Sequence, residues 1–131
     1  MSSLKKEKWV VEKAFLNAGC LSQTQNTLSV ELGFSIKLPK DSSKSTCSVG
    51  SKINAKIESG TDFLIVKLLS DFSFTNPEKK SLSDDEKKDI LKEEAFPEIY
   101  EDLCNYVKTF LKISNLKEMT LPPYNDIKNS L

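Results

Sequence analysis

Four strand-like stretches followed by a helical C-terminal third predict an α+β fold, with the helices gathered on one face of a sheet. Residues 28–38 and 47–58 alternate apolar with polar or small side chains, the period of a half-buried strand. From Ile99 the apolar residues fall at 99, 100, 103, 104, 107, 110 and 111, the spacing of one broad helical stripe. A stripe that wide must be buried, against the chain's own sheet or against a partner subunit.

In chain order, residues 1–7 read as a frayed polar terminus. Residues 8–16 are apolar at both parities, and Trp9, Val10 and Val11 favour a strand. A loop rich in Ser, Gln, Thr and Asn spans 19–26. The second strand, 28–38, stops at Pro39, and a polar connection over 41–46 leads into the third, 47–58. Ser59-Gly60-Thr61-Asp62 is a short hairpin connection into the fourth strand, 63–74. That strand is apolar at both parities from Phe63 to Leu69, so both of its faces carry hydrophobic side chains. It is a central strand covered on both sides, or one face stays open to an apolar ligand. Residues 76–80 are turn material, and Ser83-Asp84-Asp85-Glu86 spells a capping box for a helix running to about Glu94. Phe96-Pro97 then breaks or kinks it before the main helix continues.

Composition bounds the function. The chain of 131 residues is read as one domain, 1–131, long enough to bury roughly two-thirds of its unfolded surface. Nineteen lysines balance nineteen acidic residues, so no global field draws in nucleic acid or a membrane surface. There is no arginine to clamp phosphate, and no histidine to act as general base or metal ligand. Serine and cysteine therefore lack an activating histidine, and four glycines form no phosphate loop. The carboxylates of Asp84, Asp85 and Glu86 have no calcium-type ligand loop and read as a solvated helix start. Trp9, Phe15, Phe34 and Tyr106 read as core or interface residues. Cys20, Cys47 and Cys104 are odd in number and widely spaced, which suits free thiols in a reducing cytoplasm. No run is long and apolar enough to insert in a membrane. The expectation is a binding protein: no enzyme, no catalytic residue, no cofactor and no metal.

Phe96-Pro97 opens the main helix, its apolar stripe and a short loop follow, and then comes Leu121-Pro122-Pro123-Tyr124-Asn125-Asp126-Ile127. In these features of its last third the chain resembles the SecB-like protein-export chaperones, whose Leu-x-Pro-x-Asn segment precedes a short final helix; extended over the four strands, the resemblance runs from about Lys8 onward. Phe72-Ser73-Phe74 is similar to the small-aromatic ending of the family's fourth strand. The resemblance implies a four-stranded antiparallel sheet with a Greek-key-like connection and two C-terminal helical segments on one face. It implies edge-to-edge dimers joined into a tetramer, and an ATP-independent holdase for unfolded or partly folded polypeptides.

On that basis the expected polypeptide-binding residues are Phe63, Ile65, Leu69, Phe72, Phe74, Leu121, Pro122, Pro123 and Tyr124. The expected oligomer interface is Tyr100, Leu103, Val107 and Phe110. Family members that deliver to the SecA motor carry acidic residues on the exposed sheet and a basic tail. Here the comparable strand offers Ile65, Val66 and Lys67, and the chain stops at Leu131. Export through SecA and a dedicated client such as an antitoxin both stand as expectations. Two other classes stand beside them: a small adaptor or immunity-type protein for one folded partner, and a carrier of a small apolar ligand.

Overall fold

A computed structural model describes residues 4–21, 27–39, 46–75 and 82–130. The connections read at 22–26, 41–45 and 76–80 lie outside the described residues. Strands β1 (Leu4–Leu16), β2 (Ser29–Lys37), β3 (Thr46–Lys56) and β4 (Asp62–Phe74) form one sheet in the order β1-β4-β3-β2. Every neighbouring pair is antiparallel. Three consecutive strands meander, and β1 lies beside the last of them, which is the Greek-key arrangement. The fold class is α+β, with the helical third after the sheet.

Strand β1 begins at Leu4, so residues 4–7 are not a frayed end. Long-range partners hold them. Leu4 stands opposite Phe74, and Lys6 pairs with Asp102 on the helix above. Irregularities at Lys6/Lys8 and Val11/Lys13 bend this strand, as bulges do. The β3–β4 turn is closed by Gly60 N–H to the Ile57 carbonyl (2.9 Å) and Ile57 N–H to the Thr61 carbonyl (3.0 Å). Gly60 has φ +88°, a conformation that glycine adopts without steric cost.

The helical third starts at α1 (Asp84–Ile90) with the expected capping box: Glu86 N–H donates to Ser83 Oγ (3.1 Å) and Ser83 N–H to Glu86 Oε1 (3.3 Å). Ser83→Ala should therefore cost about 1 kcal/mol. The readout is a lower urea midpoint at unchanged slope, and an unmoved midpoint would place the helix start elsewhere.

Phe96-Pro97 does not break the helix. Residues Leu91–Ala95 form a π-helical turn that runs directly into α2 (Phe96–Ile113). Phe96 N–H bonds the Leu91 carbonyl, five residues back. Proline has no N–H and its ring crowds the carbonyl four residues earlier, so a wider turn just before it absorbs the conflict. Helix α2 ends in a Schellman motif: Leu116 N–H reaches the Leu111 carbonyl (2.9 Å) and Asn115 N–H the Lys112 carbonyl (3.1 Å). Asn115 takes the left-handed conformation, φ 58°, that this motif requires and asparagine tolerates. A four-residue helix α3 (Tyr124–Ile127) follows.

The core lies between the sheet and the helices. One cluster joins Ile53, Ala55, Leu64, Val66 and Leu68 to Leu103, Val107 and Leu111; a second joins Cys47, Val49, Phe72 and Phe74 to Leu91, Ala95, Phe96 and Ile99. The stripe of α2 is thus covered by the chain's own sheet. Fully burying each such aliphatic or aromatic side chain contributes roughly 1.5–3 kcal/mol.

Candidate binding surfaces

Strand alternation fixes what the other face of the sheet carries. Leu64, Val66, Leu68, Ser70, Phe72 and Phe74 are buried toward the helices, so Ile65, Lys67, Leu69, Asp71 and Ser73 point away from them. The register extends this assignment to β1. Phe15 stands opposite Ile65, Lys13 opposite Lys67, Val10 opposite Leu69 and Lys8 opposite Asp71. The helix-free face therefore holds two apolar rows, Phe15–Ile65 and Val10–Leu69. Val10 is 46% exposed and Phe15 38%, while Ile65 and Leu69 are half-buried. Asp71 accepts a hydrogen bond from Ser48 Oγ (2.7 Å), and Glu7 one from Ser73 Oγ (2.6 Å).

A second candidate surface lies on the helix side. Phe34 of β2 packs its ring against Phe96 (centroids 4.8 Å) and edge-on to Tyr100 (6.4 Å), and Tyr100 in turn meets Tyr124 (6.0 Å). Tyr100 Oη donates to the Pro122 carbonyl, pinning the Leu121–Tyr124 segment to α2. Between the π turn and α3 this leaves a cleft of about 650 Å³, lined by Phe96, Pro97, Pro123 and Tyr124 with Lys92, Glu93 and Lys128 among its charged lining.

The expected binding residues separate in space. Ile65 and Leu69 lie on the helix-free face. Pro123 and Tyr124 line the helix-side cleft, Pro122 is exposed, and Leu121 packs half-buried against the first core cluster. Phe72 and Phe74 are buried against Leu91, Phe96 and Ile99; they are core, since their parity in β4 opposes that of Ile65. Phe63 has the right parity yet is 3% exposed, and belongs to the first core cluster. Of the residues expected at an oligomer interface, Tyr100, Leu103 and Val107 are buried within the chain. Phe110 is half-buried beside Tyr106 (5.9 Å), whose ring meets Trp9 edge-on (6.4 Å) along the open edge of β1. Val10 and Phe15 were not among the expected binding residues. The signal was present in β1 being apolar at both parities, but only the register shows which residues join Ile65 and Leu69.

Burial makes two of the thiols, Cys47 and Cys104, poor nucleophiles. It pushes Cys47 up to about 11, with Lys87 opposing the rise, and raises Cys104, with the neighbouring Tyr100 opposing. All three cysteines are free thiols. Among the described residues no group of three potential ligands is placed to hold a metal ion, and no helix is long and apolar enough to cross a membrane.

No family model matches the chain, and no curated protein matches its sequence. Solved structures do. The SecB-like chaperone Rv1957 of Mycobacterium tuberculosis, in complex with a ChAD peptide from the Rv1956 HigA1 antitoxin, is similar with a TM-score of 0.67. The likeness covers 92% of this chain and 86% of that one, at 12% identity. A protein of unknown function from Streptococcus agalactiae is 15% identical over 91% of this chain and 96% of that one. Its TM-score of 0.38 is too low to support any statement about this chain. The fold is therefore that of a SecB-like chaperone, as the resemblance of the C-terminal third implies.

Proposed function

We propose that this chain is a non-enzymatic, ATP-independent holdase, a single domain of residues 1–131 that binds unfolded or partly folded polypeptide in the cytoplasm. The observation that carries the reading is the helix-free sheet face, where Val10, Phe15, Ile65 and Leu69 form an apolar surface that the chain's own helices leave uncovered. The fold supports it, since the SecB-like chaperone of similar structure was solved with an antitoxin peptide. A dedicated client such as an antitoxin is accordingly favoured over general preproteins delivered to SecA. The long edge of β1, flanked by Trp9, Tyr106 and Phe110, supports assembly of copies edge to edge, and of such dimers into a tetramer.

The energetics suit holding without fuel. Each client side chain buried on an apolar row gains roughly 1.5–3 kcal/mol before ordering costs are subtracted. Several such contacts along one extended segment add through multivalency, yet each releases quickly. Light scattering of a chemically denatured protein diluted into buffer provides the test. The unmodified chain should suppress aggregation without nucleotide, and Ile65→Ser/Leu69→Ser should lose most of that protection at unchanged circular dichroism. Equal protection by the folded double variant would move the surface elsewhere, and no protection by the unmodified chain would end the reading.

A further inference from the structure

Between the two apolar rows runs a third. Lys13 of β1 stands opposite Lys67 of β4, and Lys67 opposite Lys52 of β3, so three lysines lie in one line across three adjacent strands. Neighbouring strands are about 4.8 Å apart, and like charges placed directly opposite destabilise a sheet. Among the described residues none of the three has an ion pair. The row continues to Gly33 of β2, which with Gly50 supplies no side chain. The result is a shallow depression of about 380 Å³ beside the lysines, lined by Lys52, Lys67, Ser35 and Glu12. A Cβ at Gly50 would come within 2.6 Å of Ser35 Oγ, so any side chain there would have to turn that hydroxyl aside. The chain as a whole is neutral, with nineteen lysines and nineteen acidic residues, so the basic row is a local placement.

Resting on the holdase reading of this face, we infer that it selects client segments in which carboxylates sit between apolar residues. The apolar rows Phe15–Ile65 and Val10–Leu69 flank the lysine row on either side. An extended chain laid over them presents apolar groups to both rows and its charged groups to the row between. A carboxylate there relieves the repulsion among the lysines, whereas a lysine there adds to it. Glu12 in the same depression, and Glu31 opposite Asn54 one row away, are too few to neutralise the row. The flanking apolar rows favour a polypeptide over a nucleic acid, whose backbone would meet them with phosphate.

The test uses three fluorescent peptides with the same apolar residues and Asp, Ser or Lys at three interleaved positions, titrated with the intact chain by anisotropy. The Asp peptide should bind about tenfold more tightly than the Lys peptide at low salt, with the gap closing toward 1 M salt as screening shortens to about 3 Å. Lys13→Gln/Lys52→Gln/Lys67→Gln should remove the gap at low salt. If the Ser peptide binds but the Asp and Lys peptides bind equally, the holdase reading stands and the charge inference is overturned. If none of the three binds, the holdase reading itself fails. A single-stranded oligonucleotide or an anionic vesicle that displaced the Asp peptide as well as unlabelled Asp peptide does would show general polyanion binding and overturn the inference.

Discussion

Val107→Asp should leave a chain that does not fold. Val107 is 1% exposed and lies in the cluster that joins Ile53 and Val66 of the sheet to Leu103 and Leu111 of α2. An aspartate there has no cation among those side chains, so it must be buried unpaired or take up a proton. Either way the cost is several kcal/mol, against a total stability of about 5–15 kcal/mol for a domain. Far-UV circular dichroism and a missing thermal transition would record the loss. A variant that melted like the unmodified chain would mean that α2 turns a different face to the sheet. Phe110→Asp provides the contrast, because its ring is only half-buried beside Tyr106. It should keep the fold, and on the proposed edge-to-edge assembly it should lower the mass measured by light scattering. An unmodified chain that is monomeric at micromolar concentration would end the assembly proposal.

The difference between these two positions was not available from the helical stripe alone. Spacing placed residues 99, 100, 103, 104, 107, 110 and 111 on one broad face. It could not say that the middle of that face meets the chain's own sheet while Tyr106 and Phe110 stand at its margin. What the sequence did carry was everything governed by near neighbours. The alternation of 47–58, the Gly60 turn and the Ser83–Glu86 capping box were each resolved as the pattern indicates, and 28–38 forms its strand although Val30 stays 38% exposed. Leu4–Glu7 was misread because its hold is remote: Phe74 and Asp102 lie far along the chain. Of the break or kink expected at Phe96-Pro97, the break does not occur, for a related reason. Proline at 97 signals conflict in the helix, but packing of Leu91, Ala95 and Phe96 in one cluster decides that the chain absorbs the conflict instead of breaking.

The binding residues show where parity alone carried information. Ile65 and Leu69 share one parity of a continuous strand, while Phe72 and Phe74 have the other. A straight strand cannot present both sets on one face, so the expected group had to divide. Which half faces water depends on where the helices lie, and that depends on contacts such as Phe34–Phe96 between β2 and α2. The Greek-key order was legible only through the resemblance, because nothing in 8–16 marks it as the neighbour of β4 rather than β2.

That division sets the second large expected effect. Phe72→Ala should cost about 3–5 kcal/mol, because Phe72 is 1% exposed among Cys47, Val49, Leu91 and Phe96 and truncation removes a ring while leaving a cavity. For a domain of this size that is a fall in melting temperature of about 10 °C or more. Ile65→Ala, seven residues away on the same strand, should cost much less, because Ile65 is half-buried beside Phe15 on the helix-free face. The ranking is what bears on function. If the two effects were reversed, Ile65 would be core and Phe72 surface, and the apolar rows and the lysine row between them would no longer form the proposed client surface. If both cost as much as Phe72, the second face is also covered, and a partner subunit is the cover. That outcome is recognisable because the Ile65→Ala loss would then depend on protein concentration, as stability coupled to association does.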